Sequence, residues 1–483
     1  MKKFNGKIVA LLVVVALVVG ATASYFVTSM TMKRSQAVVN VDSTSQTSSE
    51  AKKINVIHDL IEKSYYKKVS SDKLYDGAIK GMIEALGDPF SSYMDAKTAS
   101  SFNESLSSSF EGIGAEVQMV GDRVTIVSPI KGSPAEKAGL RPNDQILTIN
   151  GKSTSGLSLD QAVNKIKGPS GTVVNLEVKR SGSSNVVTFK IKRGEIPLTT
   201  VNSKVIKNNQ KSIGYIDITS FNENTDKEFI KSLNALEDKN IKGLIIDVRG
   251  NPGGYLQAVE SIASQFITKD KPIVQVEDRN GKRDQFRSSL TKKKPYPIVT
   301  LIDEGSASAS EILAGAMSEG GGYPLVGMKS FGKGTVQQGI EMSDKSEVKL
   351  TMFKWLTPDG NWIHKKGIQP DVKVKQPDYY FASPLNIKKG SVISYDQTGT
   401  NVTNLQKMLL GAGFDPGRED GYYSKSTDDA VRQFQKAKNL PVTGSVNQAT
   451  ADALQASVLK TISSGDHDEQ LKAALRTLDK EIK

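Results

Sequence analysis

At 483 residues the chain has the length of about three ordinary domains, and 64 Lys+Arg against 52 Asp+Glu give it a formal net charge of +12. The absence of Cys excludes disulfides, thiolate catalysis, Cys-ligated zinc and iron–sulfur clusters. His58, His364 and His467 are too scattered for an HExxH zinc site, so hydrolytic chemistry here points away from metal and leaves few imidazole bases.

Taken in chain order, residues 1–34 open with Met1-Lys2-Lys3, then run without charge from residue 8 to residue 32 and close on Lys33-Arg34. That run is long enough to cross a hydrocarbon core of about 30 Å. Ala21-Thr22-Ala23 resembles a signal-peptide cleavage site, but apolar Tyr25, Phe26 and Val27 continue past it, so the segment reads as an uncleaved transmembrane anchor. The lysines before it place the body outside the cytoplasmic membrane. There a basic protein meets anionic envelope surfaces, and nucleic acid is not an expected partner. Residues 35–53 are polar and Ser/Thr-rich, as in a linker. Ile54, Ile57, Ile61, Leu74, Ile79, Met82, Ile83 and Leu86 then recur at helical spacing and predict a helical arm over 54–95, stopped by Gly87-Asp88-Pro89. Short β-like runs at 124–127, 146–149, 173–178 and 186–191 enclose one helical stretch, 159–166. From 212 to 374, strand-like 213–218, 243–248, 298–302 and 325–326 alternate with helical patterns at 223–238, 256–266 and 308–319, which predicts a parallel or mixed α/β sheet.

Chemistry is concentrated in a few segments. Gly112-Ile113-Gly114-Ala115 precedes a strand and offers consecutive backbone N–H groups suited to a peptide carboxylate, with a strand edge beside it for main-chain pairing. Together with "SPAEKAGLRPNDQILTING" at 132–151 it resembles a PDZ domain, with 159–166 as the groove-flanking helix. Asp247-Val-Arg-Gly-Asn-Pro-Gly-Gly254 follows an apolar strand and precedes a helix, where converging N–H groups can hold an oxyanion; a tight turn needing Gly only for its backbone is the alternative. Ser306, Ser308 and Ser310 begin a helix after strand 298–302, and Gly332-Lys333-Gly334 follows 325–326. With no Cys and no His nearby in sequence, a lysine amine is the available base for serine attack. An ordinary lysine has a pKa of about 10.4, and lowering it by about 3 units costs roughly 4 kcal/mol, which requires apolar walls. Gln337, four residues after Lys333, can orient the amine without adding a negative charge. The near-match to a phosphate-binding loop at 327–333 fails because Gly334 stands where Ser or Thr is needed.

The ordered set of Gly112–Ala115, "SPAEKAGLRPNDQILTING", "DVRGNPGG", "EGSASASEILAGA", "FGKGTVQ" and "TPDGNWIHKKGIQPDV" resembles the carboxyl-terminal processing, or tail-specific, serine proteases over residues 54–376. The resemblance implies Ser308 as nucleophile, Lys333 as general base and Gln337 as its partner. It also implies oxyanion donors at the Ala309 amide and at a glycine of 253–254, Gly254 before Gly253. Residues 391–456 are similar to the small helical peptidoglycan-binding module, with Leu405, Leu409, Val431 and Phe434 as its core and Tyr422-Tyr423 as sugar-stacking or core residues. The tail 457–483 reads as an amphipathic helix with Leu471, Leu475 and Leu478 on one face, a candidate homodimer contact.

The expected architecture is therefore multidomain α/β: an N-terminal transmembrane helix (1–34), a linker (35–53), a helical arm (54–95), a β-rich PDZ module (96–184), an α/β protease core (185–376), a small helical module (391–456) and a helical tail. The expected activity is a membrane-anchored serine endopeptidase, with no cofactor, that cleaves proteins recognised by their C-terminal tails. A proteolytic signalling step follows from the resemblance alone. Peptidoglycan is a further candidate partner. Lys167, at the end of the groove helix, is a candidate to relay peptide binding to a carboxylate on the core. The contrasting reading is a non-catalytic PDZ and wall-binding scaffold.

Overall fold

The computed structural model describes residues 49–180, 186–385, 387–388 and 390–482. The expected transmembrane segment lies outside the described residues, and among these no helix is long and apolar enough to cross a membrane. The chain divides into two units at Met82/Ile83.

In the first unit the expected helical arm consists of two helices, α1 (Ser49–Ser64) and α2 (Ser71–Glu84), and α2 ends past the unit boundary. Helix α1 starts inside the stretch expected as linker, where Ser49 and Glu50 suit a first turn. No side chain of either helix is buried. His58 stacks on Tyr75 with ring centroids 4.5 Å apart, and its Nε2 lies 2.7 Å from Ser71 Oγ.

In the second unit β1 (Ser92–Met94) leads to α3 (Ala96–Leu106), capped by Asp95, whose carboxylate accepts the Thr98 N–H at 2.8 Å. Strand β2 (Ser109–Gly112) then opens the β-rich module, followed by β3 (Ala115–Val120), β4 (Arg123–Pro129), α4 (Pro134–Ala138), β5 (Gln145–Ile149), β6 (Lys152–Ser153), α5 (Leu159–Ile166), β7 (Val173–Lys179), β8 (Val186–Lys192) and β9 (Gly194–Pro197). The sheet order β3-β4-β5-β7-β8 leaves β3 at an edge, and β2 pairs with β9. The expected boundary at 184/185 is corrected by this pairing. All of β8 is registered against β7, from Val173 opposite Lys192 to Lys179 opposite Val186, so the module continues past 184.

The core is a six-stranded sheet of β10 (Val201–Asn208), β11 (Lys211–Ile218), β12 (Gly243–Asp247), β15 (Ile298–Ile302), β16 (Leu325–Gly327) and β19 (Val372–Lys373), in that order, with β10 antiparallel and the rest parallel. Between them lie α6 (Thr225–Glu237), α7 (Leu256–Ala263), β13 (Val274–Glu277), β14 (Arg283–Phe286), α8 (Ala309–Gly315), β17 (Thr335–Glu341) and β18 (Glu347–Leu356). Strands β1, β18, β13, β14 and β17 form a second, antiparallel sheet that the sequence reading did not anticipate. Side chains alternate across the main sheet, as the two-residue period requires. Leu244, Ile246, Ile298 and Ile302 join Phe229, Leu233, Val259 and Leu313 of α6, α7 and α8 on one face.

On the other face Ile213, Ile245, Val299, Leu301 and Val326 are covered by Ala473, Ala474 and Leu478 of the last helix. The C-terminal module consists of α9 (Thr400–Gly411), α10 (Lys425–Ala437) and α11 (Gln448–Ser464) around Leu405, Leu409, Val431 and Phe434, and α11 runs past the expected limit at 456. Helix α12 (Glu469–Glu481) then returns to the protease sheet. This corrects the tail's expected role: Leu478 is buried against the chain's own sheet and Leu471 and Leu475 pack partly buried beside it, so the stripe covers the protease core.

Candidate active site

Three loops leave the carboxyl ends of the adjacent parallel strands β12, β15 and β16, where α/β sheets place their sites. They carry 247–254, 303–310 and 328–334, so the topology brings together the segments singled out from sequence.

Ser308 stands between β15 and α8 at φ +53°, ψ −111°, a conformation that L-residues rarely adopt and that raises its side chain on a sharp strand-to-helix turn. The turn is held by Asn251, which is fully buried. Its carbonyl accepts the Ala307 N–H at 3.0 Å and Ser310 Oγ at 2.8 Å, while its amide donates to the Ile218 carbonyl at 2.7 Å. Asn251 Oδ1 also takes the Gly253 N–H at 2.9 Å. The N–H groups of Gly254 and Ala309 donate to no described residue. Both glycines are close-packed. A Cβ on Gly253 would meet Ala309 N and Ser308 Cβ at 3.0 Å, and one on Gly254, at φ +146°, would meet the Phe221 carbonyl oxygen at 2.1 Å.

Glu311, fully buried at the third position of α8, joins the nucleophile turn to the lysine loop. Its carboxylate accepts the Ser308 N–H at 2.9 Å, Ser330 Oγ at 2.6 Å, the Gly332 N–H at 2.6 Å and the Lys333 N–H at 2.8 Å. Four donors around one buried carboxylate leave it fully satisfied. The Lys333 carbonyl accepts Trp355 Nε1 at 2.7 Å. The Lys333 amine lies 5.0 Å from the centroid of the Phe90 ring and makes no ion pair with a described residue. Burial pushes its pKa down, and the Lys349 ammonium adds to this against the pull of Asp88 and Glu311. Gln337 sits on β17 at a bulge between Val336 and Gln337, and its amide nitrogen donates to Thr335 Oγ1 at 3.1 Å and Thr351 Oγ1 at 3.0 Å. Thr351 N–H is in turn held by Ser91 Oγ at 3.0 Å, and Ser91 by Asp88 at 2.6 Å.

Sequence reasoning missed Glu311, Asn251 and Phe90. A glutamate three residues after a helix-start serine is itself a signal of an N-terminal clamp. Phe90 carries no comparable signal, since its role depends on packing across the chain.

In the β-rich module Gly112 ends β2, Ile113 and Gly114 form the turn, and Ala115 opens the edge strand β3. The Gly114 carbonyl is held by the Ile130 N–H at 2.9 Å and Ser133 Oγ at 2.8 Å, and the Ile113 carbonyl by the Ala135 N–H at 2.8 Å, while the N–H groups of Ile113 and Gly114 donate to no described residue. Only glycine fits at 114, because at φ +72° a Cβ would come within 2.5 Å of Ser133 Cβ. Lys167 pairs at 3.0 Å with Glu104 of α3, and not with a carboxylate on the protease core as expected. Helix α3 itself reaches the core through Asn103 Nδ2, 2.9 Å from Glu347 of β18. In the C-terminal module Tyr423 is core, with its hydroxyl on the Gly444 carbonyl at 2.6 Å, while Tyr422 stays at the surface with its hydroxyl 3.0 Å from Asp396.

These features coincide with matches to known families. Residues 212–374 match peptidase family S41, 125–180 a PDZ domain, 398–454 a peptidoglycan binding domain and 17–98 the N-terminal domain of the activating protease CtpB. The chain is 48% identical over 478 residues to the carboxy-terminal processing protease CtpB of Bacillus subtilis (strain 168), covering 98% of this chain and 99% of the relative. It is 44% identical over 475 residues to the carboxy-terminal processing protease CtpA of the same organism, covering 98% of each. The chain belongs to peptidase family S41 and is a serine-type hydrolase of the carboxy-terminal processing kind with a PDZ domain. The scaffold alternative is thereby set aside.

Proposed function

We propose that the protein is a membrane-anchored endopeptidase in which Ser308 is the nucleophile, Lys333 the general base and Gln337 the residue that orients the base. The observation that carries this reading is the Lys333 amine, unpaired against Phe90 with a lowered pKa, in a loop clamped through Glu311 to the Ser308 turn. A neutral amine there accepts the Ser308 hydroxyl proton as Oγ bonds to the scissile carbonyl carbon. The resulting oxyanion is received by the N–H groups of Ala309 and Gly254; Gly253 is displaced from this role because its N–H is already held by Asn251. The Lys333 ammonium returns the proton to the departing amine, leaving an acyl-Ser308 ester. Water then attacks the ester carbon, giving its proton to Lys333, and as the C–O bond to Ser308 breaks Lys333 returns that proton to Oγ, which restores the neutral amine and the hydroxyl.

Substrate selection falls to the PDZ groove. The Ile113 and Gly114 N–H groups suit a terminal carboxylate, and the open edge of β3 suits an added strand beside α5. Lys167, through Glu104 and α3, is the proposed relay from groove to core. The anchor at 8–32 places the body outside the membrane, where the charge of +12 and the C-terminal module favour anionic wall polymer. Cleavage of a membrane or secreted regulator would make this a signalling step. Cleavage of an unfolded protein with an apolar C-terminal tail, compared between wild type, Ser308→Ala and Lys333→Ala, tests the assignment. Both variants should be inactive, and activity surviving Ser308→Ala would defeat it. Blocking the substrate's terminal carboxylate as an amide should weaken cleavage; equal cleavage of both forms would remove the carboxylate-loop role.

A further inference from the structure

The loop that carries Gly254 leaves β12 after Asp247, and its second residue, Arg249, is gripped by residues 219 and more positions away in the chain. Its side chain is mostly buried, 14% exposed. Nε lies 3.0 Å from both oxygens of Asp247, and Nη2 lies 2.6 Å from Asp247 Oδ2. Nη2 and Nη1 reach Asp468 Oδ2 and Oδ1 at 2.8 and 2.9 Å, a bidentate pair, and Nη1 also meets Gln470 Oε1 at 3.0 Å. Asp468 caps α12 through the Leu471 N–H at 2.8 Å. Burial pushes its carboxyl up, but the Arg249 guanidinium outweighs this and holds it below the usual carboxylate range.

The same point is a neck. The chain leaving β19 and the chain returning from the C-terminal module are stapled together there. Gln376 Nε2 donates to Asp468 Oδ1 at 2.7 Å, the Glu469 N–H to Gln376 Oε1 at 3.1 Å, and Gln470 Nε2 to the Val374 carbonyl at 2.9 Å. We propose that Asp468 is a positioning residue for catalysis: with Asp247 it fixes Arg249, and through Arg249 it holds the start of the loop whose Gly254 N–H receives the oxyanion. This rests on the reading of Ser308 and Gly254 given above. Loosening the grip would leave peptide capture intact and misplace the donor, because the PDZ groove shares no residue with the neck.

The test uses the full-length protein with Asp468→Asn, which keeps the volume and the helix cap but removes the charge, against Asp479→Asn at the far end of the same helix, where Asp479 meets Asn208 at 2.7 Å and Asn209 at 2.9 Å. For Asp468→Asn, kcat should fall roughly tenfold or more with KM within about twofold, and a peptide aldehyde, whose hemiacetal oxygen needs the same N–H pair, should inhibit roughly tenfold less well. Peptide affinity of the PDZ groove and all properties of Asp479→Asn should stay near wild type. Unchanged kcat and aldehyde affinity in folded Asp468→Asn would overturn the proposal, as would an equal loss in Asp479→Asn. Should Asp468→Asn not fold, Gln376→Met, which cuts only the neck contact, should lower kcat and aldehyde affinity together, and no change in either would overturn it. An active Ser308→Ala would sink the underlying site assignment instead, a result distinguishable from an inactive Ser308→Ala beside an unaffected Asp468→Asn.

Discussion

Glu311 Oε2 accepts the backbone N–H of Lys333 at 2.8 Å, and the same oxygen accepts that of Ser308 at 2.9 Å, so one buried atom sets the separation of two loops that leave neighbouring strands. Glu311→Gln would turn an NH₂ group toward some of the four donors. We expect a loss of about 2–4 kcal/mol in stability and roughly 100-fold in kcat with KM little changed, read by denaturant melts and peptide kinetics. Wild-type kcat in this variant would show that the clamp does not set the geometry.

Ser308 holds a positive φ that glycine tolerates and L-residues resist. Ser308→Gly should be inactive yet more stable than Ser308→Ala by about 1 kcal/mol, because only the glycine relieves the backbone. Equal melting temperatures for the two would mean the turn is not strained.

Lys333 should give activity that rises with pH as its amine loses its proton, with an apparent pKa below the ordinary 10.5. The folded-state pKa is the lower one, so between it and 10.5 the unfolded chain binds more protons and stability rises with pH. Lys333→Met should therefore be inactive and about 1 kcal/mol more stable at neutral pH, a gain that shrinks as pH climbs through that window. A stability difference that grows with pH would contradict the sign of the shift.

Gly254 and Gly250 separate two kinds of glycine in one loop. Gly254→Ala drives a methyl into the Phe221 carbonyl and should abolish activity, whereas Gly250→Ala, at φ +65° with nothing within 4 Å, should cost only about 1 kcal/mol and remain active. Cleavage rates and melting curves of the pair decide it.

Glu260, on the helix after that loop, has its carboxyl pushed up by burial to about 7. Its raised pKa means the folded chain binds more protons from 4.5 to about 7, so stability should decline as pH rises through this range. Glu260→Gln should remove the decline and gain about 2 kcal/mol above it. An unaltered pH profile would show that Glu260 stays ionised.

The core strands were legible because 243–247 and 298–302 are buried on both faces and are dominated by Leu, Ile and Val, broken only by Gly243, Asp247 and Thr300. Strand β17, Thr-Val-Gln-Gln-Gly-Ile-Glu, is half exposed and polar, so it gave no comparable signal, and with it went the second sheet that supports Gln337. Strand β18, which brings Thr351 to Gln337, was likewise not anticipated, although Val348, Leu350 and Met352 alternate there with Lys349 and Thr351. Ser308, Lys333 and Gln337 stood out through motif order. What distinguishes Gly253 from Gly254 is a side chain, Asn251, which takes the Gly253 N–H and whose aim is not written in a loop sequence.

The neck at Gln376 and Asp468 also bears on how this chain can be taken apart. A protein shortened from its carboxyl end to remove the wall-binding-like module would lose α12 as well, and Ile213, Ile245, Val299, Leu301 and Val326 would form a bare aliphatic face prone to aggregation. Excising only the residues between the two sides of the neck and rejoining them with a short linker would keep that face covered, because the two ends already touch.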